Sequence, residues 1–105
     1  LVLDMPPGIN DAALDLLRFA RRAEVLAVTT PSVLAHDVLK RSLALYRGIG
    51  APLLGVVENM GRGRSAGPAL RYDPDLEAAL GRPRALLKTA FAADLRRAMK
   101  ALELP

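Results

Sequence analysis

The apolar positions of this chain fall into continuous runs separated by stretches of helical period. Leu1-Val2-Leu3, Val25 to Val28 and Leu53 to Val57 are apolar without alternation, which suits short strands covered on both faces. Between the first two runs, Asn10 or Asp11 offers a capping oxygen for a helix over Ala12 to Arg22. Ala13, Leu14, Leu17 and Ala20 share one side of it, and Arg18, Arg21 and Arg22 leave that side. Ser32 to Arg47 is the longest helical pattern, with Leu34, Val38, Ser42 and Leu45 expected inward and Lys40 and Arg41 outward. Thr30 is placed to cap it with Pro31 at the first helical position, and Gly48-Ile49-Gly50 ends it.

Past the third run, GRGRSAGPALR (61 to 71) has no period and reads as a loop. Asp73-Pro74 caps a short helix through Leu80, Ala85 to Thr89 is a candidate fourth strand, and Ala93 to Leu102 forms a last helix. Leu95, Met99 and Leu102 are expected on its inward side, with Arg96, Arg97 and Lys100 outward. The order β-α-β-α-β-loop-α-β-α predicts an α/β fold, a mostly parallel sheet with helices on both faces. Right-handed crossovers bring every strand's carboxyl end to one edge, the edge where open α/β sheets bind ligands. Asp4, Pro6, Pro7 and Gly8, then Thr29, Thr30 and Pro31, then Glu58, Asn59 and Met60 gather there.

Composition narrows the chemistry. At 105 residues the chain is one domain or part of one, and 51% apolar content with 4% aromatic implies a core of Leu, Val and Ala. The absence of cysteine excludes disulfides and thiolate metal sites, and a single His gives little support to an imidazole metal site or a nucleophilic triad. A net charge of +4 suits anionic ligands. The arginines are nevertheless spread over helix faces, and no aromatic interleaves Arg62 and Arg64 for base stacking, so nucleic acid is not the expected partner. No run approaches the roughly 20 apolar residues of a membrane span, and the first residues lack the features of a signal peptide. A cytoplasmic protein is expected, and a first residue of Leu in place of Met leaves room for a start elsewhere.

At the strand tips, Asp4 can reach Mg²⁺ directly or through a coordinated water, and equally can cap a turn. Pro6 and Pro7 fix two φ angles, and Gly8 lets a backbone N–H approach a phosphate unobstructed. Asn59 offers both a donor and an acceptor, which matches the edge of adenine and also ordinary turn chemistry. Thr30 can touch a phosphate or a water, a role that competes with helix capping. His36 beside Asp37 reads as a surface pair.

DMPPGIND, VTTPSVLAHDVLK and APLLGVVENM, in this order and spacing, resemble the second half of the Mrp/ApbC-type ATPases, within the MinD-like branch of deviant P-loop NTPases. The resemblance is dense over residues 1 to 60 and thin beyond. It implies that residues 1–105 are the C-terminal half of a single Rossmann-like nucleotide-binding domain whose phosphate loop lies upstream. It also implies ATP and Mg²⁺ as ligands once that half is present, and no activity from this chain alone. By it, Asp4 is the acid of the Mg²⁺ switch strand, acting through water. Gly8 is the switch glycine near the γ-phosphate, and Asp11 closes the switch motif. Asn59 reads adenine, with Met60, Pro7 and Thr30 also at the nucleotide.

The same resemblance implies dimerisation face to face, or assembly with the upstream half, and a place in iron–sulfur cluster delivery to client proteins. The cluster-bearing members carry Cys-x-x-Cys after Glu-Asn-Met; residues 61 to 71 have no cysteine, so this chain holds no cluster in that way. A strand ending Ile-Pro-Leu-Asp is replaced by Thr89-Ala90-Phe91-Ala92, which alters one side of the expected adenine pocket. The alternative is a non-catalytic interaction or regulatory module derived from a MinD- or ParA-like ATPase.

Overall fold

The computed structural model describes residues 1–6, 8, 10–63 and 65–104. Asn10 caps the first helix, α1 (Asp11–Phe19), its Oδ1 accepting from Ala13 N–H at 2.9 Å. Strand β1 (Val25–Thr29) follows, then helix α2 (Val33–Gly48) and strand β2 (Leu53–Gly61). β1 and β2 pair in parallel, Thr29 opposite Glu58, as expected of a strand–helix–strand crossover. The alternation of side chains assigns the faces. Ala27 and Thr29 of β1 share a face with Val56 and Glu58 of β2, and α2 covers that face through His36 and Leu39.

The opposite face belongs to the last helix, α5 (Ala90–Ala101). Val57, Leu70 and Ala98 form the buried cluster there, with Phe91 and Leu102 packed against it. Gly55 lets Leu102 lie directly on β2, because a Cβ at that position would overlap the Leu102 side chain. The fold is therefore α/β with a parallel sheet and helices on both faces. The core is thin, and among the described residues no large side chain is completely buried.

Several local expectations change. Residues 1–6 join no strand; Leu1, Val2 and Leu3 are exposed, because β1 has β2 as its one neighbour and no described element covers the first run. The cap of α2 is Ser32, whose Oγ accepts from Ala35 N–H at 3.2 Å, and not Thr30; the helix starts at Val33, past Pro31. Leu34, Val38 and Leu45 are exposed, while Ala35, Leu39, Leu43 and Tyr46 form the half-buried side of α2. This helix is apolar on two adjacent stripes, and the small side chains of β1 admit the Ala35/Leu39 side.

The stretch read as a loop contains a strand, β3 (Ala69–Arg71), parallel to β2 with Glu58 opposite Ala69 and Gly61 opposite Arg71. Parallel neighbours ordinarily need a dozen or more connecting residues. Here the chain retraces only Glu58 to Gly61, a step of about 10 Å at strand rise, so residues 62–68 suffice.

The candidate strand from Ala85 to Thr89 is instead helical: α3 (Leu76–Ala79) and α4 (Pro83–Leu86) lead to Thr89, which caps α5. Pro83 at the first helical turn and the Ala-Leu-Leu that follows favour helix, and the run lacks the β-branched residues that favour a strand. In α5 the inward side is Phe91, Asp94, Ala98 and Leu102, which leaves Leu95 exposed.

Candidate functional site at the carboxyl edge of the sheet

All three strands end on the same edge. Thr29 and Thr30 stand at the tip of β1, Glu58, Asn59 and Met60 at the tip of β2, and Arg71, Tyr72 and Asp73 at the tip of β3. The ladder between β2 and β3 shifts register between Glu58 and Gly61, and Met60 takes φ 59° within that irregularity. This left-handed turn is stabilised locally: Asn59 Oδ1 accepts from Met60 N–H at 2.8 Å.

Two hollows flank the β2 tip. One, of about 220 Å³, is lined by Asn59, Met60, Tyr72, Glu77 and Phe91 among others. Asp73 is also part of its lining. Its Oδ2 accepts from Phe91 N–H at 3.0 Å and its Oδ1 from Asp75 N–H at 3.0 Å. The Phe91 bond is the main reason its carboxyl titrates below the usual carboxylate range, helped by the Asp75 amide. Asp73 thus ties the turn before α3 to the first turn of α5, where an anion also suits the helix dipole. Arg71 points its guanidinium away to Asp94, at 2.9 Å from Oδ2 and 3.1 Å from Oδ1. The Arg62 guanidinium lies 5.7 Å from the centre of the Tyr72 ring.

The second hollow, of about 280 Å³, lies on the α2 face and is lined by Thr29, His36, Lys40, Glu58 and Ser65 among others. His36 Nε2 stands 3.4 Å from Glu58 Oε2, across from helix to strand. The partner of His36 is therefore Glu58 and not its sequence neighbour Asp37, which lies 4.0 Å from Lys40.

The structure brings Thr30, Asn59 and Met60 to the one edge, and it frees Thr30 from the capping role that Ser32 fills. Asn59 and Met60 share a hollow with Phe91, from the segment expected to line the base pocket. Asp4 lies exposed before α1, outside any strand or helix, Gly8 has φ +79° with open space around its Cα, and Asp11 opens α1. No hydrogen bond or ion pair among the described residues joins those three to the strand tips. Pro7 lies outside the described residues. Tyr72, Asp73 and Glu77 were not foreseen at the site. They follow β3, a three-residue strand, and the residues after a parallel strand fall on the ligand edge.

Among the described residues no group of three or more His, Asp or Glu side chains could hold a metal ion by itself, and no helix is long and apolar enough to cross a membrane. An oxygen site at Asp4 would need further ligands, such as phosphate oxygens, to complete a hard-cation shell.

An iron–sulfur cluster carrier protein of Helicobacter pylori is 44% identical over 61 residues, which is 58% of this chain and 17% of that protein. The corresponding protein of Rickettsia typhi is 43% identical over 60 residues, 57% of this chain and 19% of its own length, and that of Aquifex aeolicus 37% over 60 residues, 57% and 16%. The chain thus spans less than a fifth of the curated relatives it matches. The family model of the ParA-type NUBPL iron-transfer P-loop NTPases matches residues 1–67, a stretch that takes in α1, β1, α2 and β2 and stops before β3. The chain belongs to the ParA-type family of NUBPL iron-transfer P-loop NTPases.

Proposed function

We propose that these residues form the base-side half of an ATP site in an Mrp-like P-loop ATPase that serves iron–sulfur cluster delivery. The observation that carries this reading is the hollow at the carboxyl edge, where Asn59 and Met60, within the family match, meet Phe91 and the tip of β3. A parallel sheet presents its ligands at that edge. In this reading Asn59 meets the adenine and Thr30 a phosphate or its water. Gly8 gives a backbone N–H to the γ-phosphate, and Asp4 reaches Mg²⁺ through water, as Asp11 orders the switch. These 105 residues contain no Gly-Lys-Ser/Thr loop, so the phosphate cradle is supplied by other residues, from a longer chain or a partner. Hydrolysis in this class rests on positioning and on stabilising charge at the phosphoryl group, with no covalent intermediate. The relatives are named cluster carriers; with no cysteine here, any cluster handled is ligated by thiolates other than this chain's own.

A second reading, a non-catalytic interaction module, is favoured by one feature. Residues 83–92 form helix and cap where a strand with an acid at its end would line the pocket. Calorimetric titration of ATP, with and without Mg²⁺, into the protein assembled with its phosphate loop separates the two. Under the ATPase reading Asn59→Ala weakens binding in both conditions, and Asp4→Ala removes only the Mg²⁺-dependent part. Binding that is absent, or indifferent to both substitutions, leaves the interaction module.

A further inference from the structure

The polar groups around the Asn59 hollow are mostly already engaged. Asn59 Oδ1 accepts from Met60 N–H, both Asp73 oxygens accept backbone N–H groups, and the Arg71 guanidinium is turned to Asp94. Among the described residues, three polar side-chain groups of the lining make no such bond: the Asn59 NH₂, a donor, the Glu77 carboxylate, an acceptor, and the Tyr72 hydroxyl. The rest of the lining is apolar or aromatic, with Tyr72 and Phe91 two of only four aromatic residues in the chain. The Tyr72 ring is half exposed, at 54%, and already attracts the Arg62 cation, so one of its faces is electron-rich and accessible.

One donor, one acceptor and an aromatic platform describe a flat heterocycle that carries an amino group next to a ring nitrogen. Adenine has that pair in its N6 amine and N7. Asn59 by itself would have to supply both halves of this recognition, and its oxygen already accepts one bond, from Met60 N–H. We propose that Glu77 is the second base-reading residue of this site, accepting from the adenine N6 amine while the Asn59 NH₂ donates to N7, with the ring stacked on Tyr72. This rests on the nucleotide reading above and names the residues that give that site its base specificity. The base takes the place of Arg62 beside the Tyr72 ring, a stacking contact of the kind that aromatic side chains make with any base. The selectivity then comes from Glu77, because a carboxylate gains from an amine and repels a carbonyl oxygen at the same position.

The test is an NMR titration of the ¹⁵N-labelled chain with AMP, with purine riboside monophosphate, which lacks the amine, and with GMP. The expected result is that AMP moves the amides of Asn59, Tyr72 and Phe91 and binds tightest of the three. Glu77→Gln is expected to weaken AMP roughly tenfold, as loss of a charge-assisted hydrogen bond does, and to leave purine riboside monophosphate unchanged. Tyr72→Ala is expected to weaken AMP and purine riboside monophosphate alike. Shifts at the hollow that are insensitive to Glu77→Gln, or tighter binding of GMP, overturn the role of Glu77 and leave the nucleotide reading standing. No shift with any nucleotide overturns the role of Glu77, and ATP binding by the protein assembled with its phosphate loop then decides the nucleotide reading. Glu77 is exposed on a one-turn helix, so its substitution leaves the fold intact.

Discussion

Asp94 and Arg71 meet as two forks. Arg71 Nε lies 2.9 Å from Asp94 Oδ2, its Nη2 lies 3.1 Å from Oδ1, and the Arg71 backbone N–H donates to the same Oδ2 at 2.9 Å. Arg97, one turn along α5, reaches the other oxygen. The acid is 2% exposed, and it fastens the last helix to the end of β3.

Replacing Asp94 with Ala strips the β3 backbone of its acceptor and leaves two guanidinium groups without their shared partner. A destabilisation of about 1–3 kcal/mol is expected, the usual result of orphaning a buried hydrogen-bonding group. Urea unfolding measures it, and an unchanged midpoint would show that α5 is held by the apolar contacts alone.

Acid should loosen the same end of the molecule. Asp94 titrates below the usual carboxylate range, first because of its hydrogen bonds from the Arg71 side chain, and Asp73 does so through the Phe91 amide. A carboxylate depressed in the folded state contributes stability that is complete above its unfolded value, about 4, and is lost as pH falls through the lower folded value. Melting temperatures should therefore hold level down to about pH 4 and drop below it. Asp94→Asn should flatten that drop, and a drop of equal size in the variant would assign the effect to other groups.

The cap of α2 gives a discriminating pair. Ser32→Ala should cost about 1 kcal/mol, because it removes the oxygen that accepts from Ala35 N–H. Thr30→Ala should cost much less, since its hydroxyl does not hold the helix end. Equal losses in denaturant titrations of the two variants would restore Thr30 as the cap.

Contact between Gly55 and Leu102 makes a fourth test. Gly55→Ala places a methyl group where the Leu102 side chain now sits and should destabilise by about 1–3 kcal/mol. In a Leu102→Ala background the same change should cost much less, since the space is vacated. A double-mutant cycle with no coupling would mean that the two do not share that space.

The parallel pair β1 and β2 was legible because its two runs are apolar throughout and separated by one long helical pattern. The tip residues Thr30, Asn59 and Met60 followed from the direction of those strands. The failures each have a local cause. Leu1-Val2-Leu3 has the composition of a strand, but a strand needs a neighbour, and composition does not say whether one is present. Leu34 and Val38 form a sound helical stripe, yet α2 carries a second stripe through Ala35 and Leu39, and shape against Ala27 and Thr29 chose between them. β3 is three residues long with a single inward side chain, too short for period-two patterning to register. The hollow escaped for the same reason, as Tyr72, Asp73 and Glu77 reach Asn59 only once β3 has turned back alongside β2.

The bare side of β1 has its own consequence. Five residues, Val25 to Thr29, have a partner on one flank alone, and Leu26 and Val28 stand uncovered beside them, Val28 at 62%. Unsatisfied peptide groups in a flat apolar strip are a template for any extended polypeptide that approaches. Occupation of that flank by an extended polypeptide is therefore expected to set how far the protein self-associates in concentrated solution.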